Sequence, residues 1–315
     1  MAVEDSFRGF DHDFLIDDTV KEKVPFPKLG PSHKKDIAPV EGSKESILNY
    51  HNYSVQLSAS RKFPFFTAAN INGGLFKDAD RAKSWKKDKR AKEHQWGLEL
   101  YKAAKSDFDK GHMTKREDVQ WGITNELAQK AADSTFYYSN AVPQYSKLNQ
   151  RVWKSLEDYI LNIETKKRSL KICVFTGPVL SKKDPPFVTM VDGQTVLIPV
   201  LFWKVVVFPK EDGKLYRVGF LMSQKKLLTE NGIVHELEAT KADEELFMQF
   251  EDAGTYQVNT SLIEKLADIK LPKAIDSFKE DRSIKLVLEE VEVDPYLESY
   301  SAKQKMGFSI QNIVL

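Results

Sequence analysis

The chain has 315 residues, of which 41% are hydrophobic and 11% aromatic, so it can bury a core as one large domain or two small ones. Its 47 Lys and Arg nearly balance its 46 Asp and Glu, and the net charge of +1 predicts no particular partner. No apolar run approaches the roughly 20 residues of a membrane-spanning helix, and the N-terminal MAVEDSFRGF is acidic where a secretory signal is basic. We therefore expect a cytoplasmic protein that enters no membrane, or one exported without an N-terminal signal.

The single cysteine excludes an intrachain disulfide and a multi-cysteine zinc site. Cys173 lies in the apolar run LKICVFTGP, which favours a buried and inert thiol over a reactive one. Cysteine chemistry is therefore not expected to contribute to function.

The first 45 residues are predicted to form an irregular arm, because prolines and glycines interrupt a highly charged segment. The alternation of residues after Tyr50 is typical of short strands. The elements predicted next are strands at 54–58 and 63–69, a turn at Asn72-Gly73-Gly74, a helix at 117–132 with Asp118 near its start, and a strand-like Phe136-Tyr137-Tyr138.

The second half of the chain begins with helical spacing of apolar residues from Leu148 to about Asn162. A hairpin signal at Asp212-Gly213 lies between two of the strands that follow. The final predicted helix, SLIEKLADI, has Ser261 as N-cap and Glu264 at the third position, as in a capping box. Strands are predicted at 170–177, 197–208, 215–222 and 255–259. Without a regular β-α-β alternation, this order favours an α+β fold with a largely antiparallel sheet.

Two segments have residues suited to phosphodiester hydrolysis: Asp109-Lys110-Gly111-His112-Met113 and Ser139-Asn140-Ala141-Val142-Pro143-Gln144. They are followed by Leu148-Asn149-Gln150 and Trp153-Lys154-Ser155-Leu156-Glu157. A single His beside a Gly is most often a surface or structural residue. Taken together, however, the segments offer a base to activate water, oxygen ligands for a cation, and positive charge for the substrate.

These segments resemble, in order and spacing, the DNA/RNA non-specific endonuclease family, which includes endonuclease G and has the signature Asp-Arg-Gly-His. The resemblance covers about residues 48–270 and implies an α+β fold of the ββα-metal type, with a central, mainly antiparallel sheet flanked by helices. It divides the chain into an arm at 1–45, a nuclease domain at 46–275 and a C-terminal extension at 276–315 packed on that domain.

Transferred residue by residue, the resemblance implies that His112 is the general base and that Asn149 is the protein ligand of Mg²⁺, for which Mn²⁺ could substitute. Glu157 would bind the water shell of the metal, since eight helical residues span roughly 12 Å. Asn140 would shape the site beside His112, and Asp109 would be an orienting carboxylate. Gly111 would let the backbone turn His112 towards the phosphate.

Three positions depart from the family pattern. The signature Arg is Lys110, which keeps the positive charge but loses bidentate geometry. Leu161 stands where the family often has an Arg, so Arg151 or the metal must stabilise the leaving group. A further substrate-binding Arg aligns loosely with Arg81 or Lys83, and Arg116 is another candidate for contact with phosphate.

Residues 81–92, RAKSWKKDKRAK, have seven Lys or Arg against one Asp. This run is interpreted either as a contact to the phosphate backbone or as a solvated charged surface. Trp85 within it could stack on a base or belong to the core.

The function implied by the resemblance is hydrolysis of DNA and RNA at their phosphodiester bonds, with 5′-phosphate products. The rival hypothesis is a catalytically weak or inactive relative that acts as a nucleic-acid-binding or interaction module, and Lys110 and Leu161 favour it. Family members are often dimers, so a homodimer is compatible with the sequence. An inhibitor or an activating partner is also expected, because such a nuclease would be toxic to its own cell.

Overall fold

The structure is a computed structural model that describes residues 8–82, 84–145, 169–235, 250, 254–286, 288–292, 306–310 and 312–314. Its strands are β1 (Lys28–Leu29), β2 (Leu48–Asn49), β3 (Tyr53–Leu57), β4 (Pro64–Asn72), β5 (Phe108–His112), β6 (Ala141–Tyr145), β7 (Lys171–Pro178), β8 (Leu201–Pro209), β9 (Leu215–Ser223), β10 (Thr255–Val258), β11 (Ile269–Lys270), β12 (Ile275–Asp276), β13 (Ile284–Lys285), β14 (Leu288–Glu292) and β15 (Met306–Ile310).

The described helices are short. They are α1 (Pro31–Lys34), α2 (Leu98–Tyr101), α3 (Arg116–Val119), α4 (Asn125–Ser134), α5 (Lys225–Glu230) and α6 (Thr260–Leu266). Single turns of 3-10 helix lie at Gly73–Leu75, Lys89–Ala91 and Tyr138–Asn140. Over the residues described, no helix is both long enough and apolar enough to cross a membrane.

A nine-stranded sheet forms the centre of the domain, in the order β13-β10-β9-β8-β7-β4-β3-β2, with β12 beside β9. All of its pairs are antiparallel except β12 with β9. The long strands β8 and β9 are joined by the predicted turn, in which Gly213 has a φ of +73° that glycine adopts without strain. The expected α+β fold with a mainly antiparallel sheet is therefore confirmed.

The two faces of the sheet are covered by different parts of the chain. On β3, the Ser54 hydroxyl accepts a hydrogen bond from the Phe10 backbone of the arm at 2.8 Å. The adjacent Tyr53 points the other way, and its hydroxyl donates to the Ser134 carbonyl of α4 at 2.6 Å. Because side chains alternate along a strand, the arm and α4 lie on opposite faces.

The described part of the N-terminal arm includes the short elements β1 and α1, and it supplies part of the core. Phe10 packs on Phe175 of β7 at 5.5 Å between ring centroids, and Phe26 packs on Phe66 of β4 at 5.9 Å. The buried apolar side chains of the arm are Phe10, Phe14, Leu15, Val20, Val24, Leu29, Ala38 and Val40. At the other end of the chain, the backbone of Val314 exchanges two hydrogen bonds with the buried Gln257 side chain of β10.

Four local predictions were wrong. The helix predicted at 117–132 is interrupted, because Trp121 forms a β-bridge with Phe76, the Gly122 backbone donates to the Leu75 carbonyl, and Thr124 caps a new helix. The final helix begins two residues earlier than predicted, with Asn259 and not Ser261 as N-cap. Of the predicted strand Phe136-Tyr137-Tyr138, Tyr137 alone pairs, in an isolated β-bridge with Lys86. The strand predicted from Leu197 begins at Leu201, because residues 197–200 form part of a loop.

Strands β5 and β6, which residues 113–140 connect, pair with each other in a separate two-stranded sheet beside the large one. We refer to this pair as the β5–β6 hairpin. Gln224, fully buried after β9, attaches it. Its side chain accepts from the Tyr145 backbone at 2.8 Å and donates to the carbonyls of Pro143 at 3.1 Å and Pro199 at 2.7 Å. One amide therefore satisfies three buried backbone groups and fixes the hairpin to the sheet.

Replacement of Gln224 by Leu is expected to destabilise the protein by about 2–4 kcal/mol, because buried donors and acceptors lose their partner. Urea unfolding at pH 7 would measure the loss. Gln194, an exposed residue whose amide meets Lys62, is the matched control, and Gln194→Leu should change the unfolding free energy by less than about 0.5 kcal/mol. Equal effects of both substitutions would show that Gln224 has no special role.

Candidate active site

The β5–β6 hairpin places His112 at the end where residues 113–140 connect the two strands, and there His112 pairs with Ala141 and Gly111 with Val142. The Asp-Lys-Gly-His segment is therefore a strand, which the sequence analysis did not predict. Gly111 is required for packing, because a Cβ there would overlap the buried side chain of Gln144. The glycine thus allows a close approach inside the hairpin and does not act as a turn.

Asn140 fixes the chain just beyond His112. Its side chain accepts a hydrogen bond from the Thr114 backbone at 2.9 Å and donates to the carbonyls of Thr114 at 2.9 Å and Thr135 at 3.0 Å. Its own carbonyl accepts from the Met113 backbone at 2.9 Å. Asn140 is fully buried, so it contributes by holding the backbone around the histidine and not by presenting an exposed amide.

The His112 ring lies between two aromatic side chains. Trp85 is 4.5 Å from it between ring centroids, and Phe136 meets it edge-on at 5.1 Å. Nε2 of His112 is buried and has no hydrogen-bond partner among the described residues. Trp85 itself is partly buried and packs against the main core, which answers the question that its sequence context left open.

Burial lowers the pKa of His112 to about 3, although the carboxylate of Glu117 opposes this shift. The positive charges of Arg81, Arg116 and Lys115 lower the pKa further. An imidazole ordinarily titrates near 6.5, so a pKa lowered this far keeps His112 neutral at physiological pH.

Glu117 is a buried anion close to this histidine, and the sequence analysis did not single it out. Burial alone would raise its pKa, but the charges of Lys115 and Arg116 and a hydrogen bond from Arg116 lower it to about 2. The Arg116 guanidinium donates to the Glu117 carboxylate at 2.7 Å and to the Ala79 carbonyl at 2.9 Å. The side chain of Arg116 is only 12% exposed.

Arg81 has a different setting, since its side chain is exposed. Its guanidinium carbon lies 5.6 Å from the ring centroid of Phe136, the same ring that meets His112. Of the sequence-predicted phosphate contacts in the described part of the chain, Arg81 is the one that combines exposure with closeness to His112. Lys83, Arg151, Asn149 and Glu157 lie outside the described residues, as does Leu161.

The other residues of the Asp-Lys-Gly-His segment lie along β5. The Lys110 ammonium is 5.5 Å from the ring centroid of Tyr101. Asp109 pairs with Gln144 across the hairpin, and its pKa is raised by burial and by Asp107, against the effect of Lys110. Cys173 is buried and its pKa is raised by that burial, so the expected inert thiol is confirmed.

The basic run 81–92 does not form a uniform cationic surface. Arg90 donates through two of its nitrogens to the buried Asp88, with a shortest distance of 2.6 Å, and Asp88 also accepts from the Tyr50 hydroxyl at 2.7 Å. Lys87 pairs with Glu99 at 2.6 Å, and Lys86 lies over the Tyr137 ring. Arg90 is therefore structural, and the exposed lysines remain candidates for contact with a substrate.

In the described parts of the chain, no group of three or more His, Cys, Asp or Glu could hold a metal ion. Of the two residues that the sequence suggested for the metal site, Asn149 would supply an amide oxygen to the metal and Glu157 a carboxylate to its water shell. Magnesium prefers such oxygen donors and retains much of its water, so a ligand set this small is chemically suitable.

The sequence model of the family described as DNA/RNA non-specific endonuclease matches residues 34–278 of this chain. The chain therefore belongs to the DNA/RNA non-specific endonuclease family. The match includes the hairpin, His112 and the segment with the suggested metal ligands.

The chain is 34% identical over 233 residues to the uncharacterized protein y4fB of Sinorhizobium fredii. The aligned region covers 70% of this chain and 33% of that relative. It is 30% identical over 128 residues to mitochondrial endonuclease G of Bos taurus, covering 37% of this chain and 38% of the relative. The matched regions thus span about a third of these curated relatives.

A crystal structure of the EndoG/EndoGI complex contains a similar fold, with a TM-score of 0.50 and 20% identity. The similarity covers 71% of this chain and 84% of that one. It supports the assignment of a ββα-metal nuclease fold.

Substitution of Arg90 by Gln is expected to lower the free energy of unfolding by about 2–3 kcal/mol, because it leaves the Asp88 carboxylate buried without its ion pair. Complete burial of both partners would cost more, but the Arg90 side chain is 31% exposed. The neighbouring Lys89 is exposed, and Lys89→Gln should change stability by less than about 0.5 kcal/mol. Urea unfolding compares the two variants, and a similar small loss in both would contradict the structural role of Arg90.

Proposed function

We propose that this protein is a sugar-nonspecific endonuclease that hydrolyses phosphodiester bonds of DNA and RNA in a Mg²⁺-dependent reaction, with His112 as general base. Membership of the non-specific endonuclease family supports the reaction class. The observation that carries the proposal is the His112 imidazole, which is buried against Trp85 and lies at the end of the β5–β6 hairpin.

A general base must be unprotonated at working pH, and the atom that takes the proton must not already be engaged in another hydrogen bond when the reaction starts. His112 meets the first condition because its lowered pKa keeps the ring neutral, and the negative charge of a bound phosphate would raise that pKa towards the working pH, where a general base is most efficient. It meets the second at Nε2, which has no partner in the described part of the protein. A buried polar nitrogen without a partner costs stability, and such groups are expected mainly where function requires them.

In the proposed reaction, the His112 imidazole accepts a proton from the attacking water as the water oxygen bonds to phosphorus. The bond from phosphorus to the 3′ oxygen breaks and that oxygen takes up a proton from solvent water, so the products have 5′-phosphates and free 3′-hydroxyls. The resulting imidazolium is stabilised by the anionic Glu117, whose charge acts in favour of protonation.

Bound Mg²⁺ would neutralise negative charge on the phosphoryl group and the leaving oxygen, and Mn²⁺ is expected to substitute for it. Asn149 is proposed as its protein ligand and Glu157 as a residue that binds its water shell. Arg151 is proposed to assist at the leaving group, because Leu161 cannot.

Positive side chains around His112 are proposed to attract the substrate. Arg81, Arg116 and Lys115 each act on the imidazole electrostatically, which places their charges near the reacting phosphate. Contacts to phosphate distinguish neither base nor sugar, so they suit a nuclease that cuts DNA and RNA alike. Since such an enzyme endangers the nucleic acid of its own cell, an inhibitor or activating partner is also proposed.

His112→Ala is expected to reduce the rate of plasmid cleavage by about 10²–10⁴-fold, the usual contribution of a general base. Cleavage by wild type and variant should be measured with Mg²⁺, with Mn²⁺ and with the metals withheld, and circular dichroism should verify folding. His235→Ala, at an exposed histidine, should cleave at the wild-type rate.

A His112→Ala protein that keeps more than half of the wild-type rate would mean that the base is another residue. A folded wild-type protein that cleaves neither DNA nor RNA with either metal would overturn the proposed function itself.

A further inference from the structure

The chain segment that leads to Arg81 is held by side chains from α3, α4 and the residue that follows α3. Gln120, which is buried, donates to the Lys77 carbonyl at 2.6 Å, while the Lys77 backbone donates to the Gln120 carbonyl at 3.1 Å. Arg116 donates to the Ala79 carbonyl at 2.9 Å. We refer to residues 77–80 as the anchored segment.

Gln129 of α4 makes the last of these contacts, directly before Arg81. Its side-chain oxygen accepts from the Asp80 backbone at 2.7 Å, and its amide nitrogen donates to the Asp80 carbonyl at 2.9 Å. The N–H and C=O groups of Asp80 are thus both hydrogen-bonded to the Gln129 side chain, as they would be to a neighbouring strand in a sheet. This arrangement fixes the direction in which the chain leaves the anchored segment.

The chain is held again on the far side of Arg81. The Lys86 backbone donates to the Phe136 carbonyl at 3.0 Å, and its carbonyl accepts from the Tyr138 backbone at 3.0 Å. Between these two attachments, Arg81 lies over Phe136 and Trp85 packs on His112. Arg81 and Trp85 therefore lie beside the aromatic surroundings of the histidine, each next to a fixed stretch of backbone.

We propose that Gln129 and Arg116 are positioning residues that act through the anchored segment to hold the Arg81 guanidinium beside His112, where it binds the phosphate of the substrate. The inference rests on the proposed function, because it assigns a purpose to Arg81 in that reaction. It gives Arg116 a role other than the direct phosphate contact that the sequence suggested.

The contacts of the two arginines support different roles for them, phosphate binding for Arg81 and positioning for Arg116. The Arg116 guanidinium is largely buried and bonded to Glu117 and to the Ala79 carbonyl, so its geometry is already used within the protein. Arg81 is exposed, and the contact that the structure shows for its guanidinium is with the face of Phe136. A long, exposed side chain loses conformational freedom when it binds phosphate, and a fixed backbone reduces that loss.

Gln129 offers the clearest test because it is uncharged, and its removal leaves the electrostatics of the site unchanged. Asn125, an exposed amide one turn earlier on α4, provides the matched control. The experiment uses the full chain and compares wild type with Gln129→Ala, Arg81→Ala, the double variant Arg81→Ala/Gln129→Ala and Asn125→Ala. Affinity for one DNA duplex is measured at several salt concentrations with metal withheld.

Arg81→Ala is expected to flatten the slope of log K against log salt by about 0.9, the value for one lost phosphate contact on duplex DNA. Gln129→Ala should weaken binding by about 3–10-fold and flatten the slope in the same direction, as expected for the cost of ordering one released side chain. In the double variant, the loss should equal that of Arg81→Ala alone. Asn125→Ala should bind as wild type does.

An additive loss in the double variant, or an unchanged affinity and slope for Gln129→Ala, would overturn the inference. So would an Arg81→Ala protein with wild-type binding. Each of these results can occur while the wild-type protein cleaves DNA and His112→Ala does not, so failure of the inference is separate from failure of the proposed function. Thermal unfolding of each variant shows whether the protein remains folded, and a folded Gln129→Ala protein with a lower melting temperature but a normal salt slope also contradicts the proposal.

Discussion

The burial of the His112 imidazole against Trp85 and Phe136 is the constraint on which the rest of the site depends. An imidazole in water would be partly protonated at neutral pH, whereas this one is partly buried, with Nε2 shielded from water, and lies near three cations, and its pKa is lowered accordingly. The same cations that keep it neutral are suited to attract a phosphate. Burial and charge thus produce both a free base and an anion-binding environment at one position.

Several parts of the fold maintain this arrangement. The β5–β6 pairing sets the position of the histidine, Asn140 fixes the backbone after it, and Gln224 fixes the hairpin to the large sheet. The loop that begins at Arg81 is attached at both ends to the elements that surround His112. The site is composed of segments that no neighbouring strand pairs with. Side-chain amides hold these segments, because an amide can form hydrogen bonds with the N–H and C=O groups of irregular backbone.

The sequence predicted the antiparallel strands of the large sheet well, because their alternation and turn residues are local signals. It failed for β5, since Asp-Lys-Gly-His has no apolar alternation and becomes a strand through its partner β6. It placed the final helix cap at Ser261 and not at Asn259, because several residues there can cap and tertiary packing selects among them. The structural role of Arg90, which distinguishes it from the other basic residues of 81–92, also depends on a contact between residues far apart in sequence, the hydrogen bond from Tyr50 to Asp88.

For the site, the motif identified His112 and Asn140 but not their surroundings. Glu117 lies five residues after the histidine in a charged run, and nothing in that run distinguishes a buried carboxylate from an exposed one. The sequence around Gln129 is typical of a surface helix, and the contact of Gln129 with Asp80 joins residues 49 positions apart. Such contacts arise from the fold, so they can be found only once the fold is known.

The most direct test of this account is a titration of the His112 ring by nuclear magnetic resonance in the free protein, with the signal assigned by its loss in His112→Gln. The account predicts that the ring stays neutral from pH 8 down to at least about pH 4.5, because its pKa is lowered to about 3. A midpoint near the ordinary value of about 6.5 would contradict it, since the ring would then be exposed to water and no longer held as a buried neutral base.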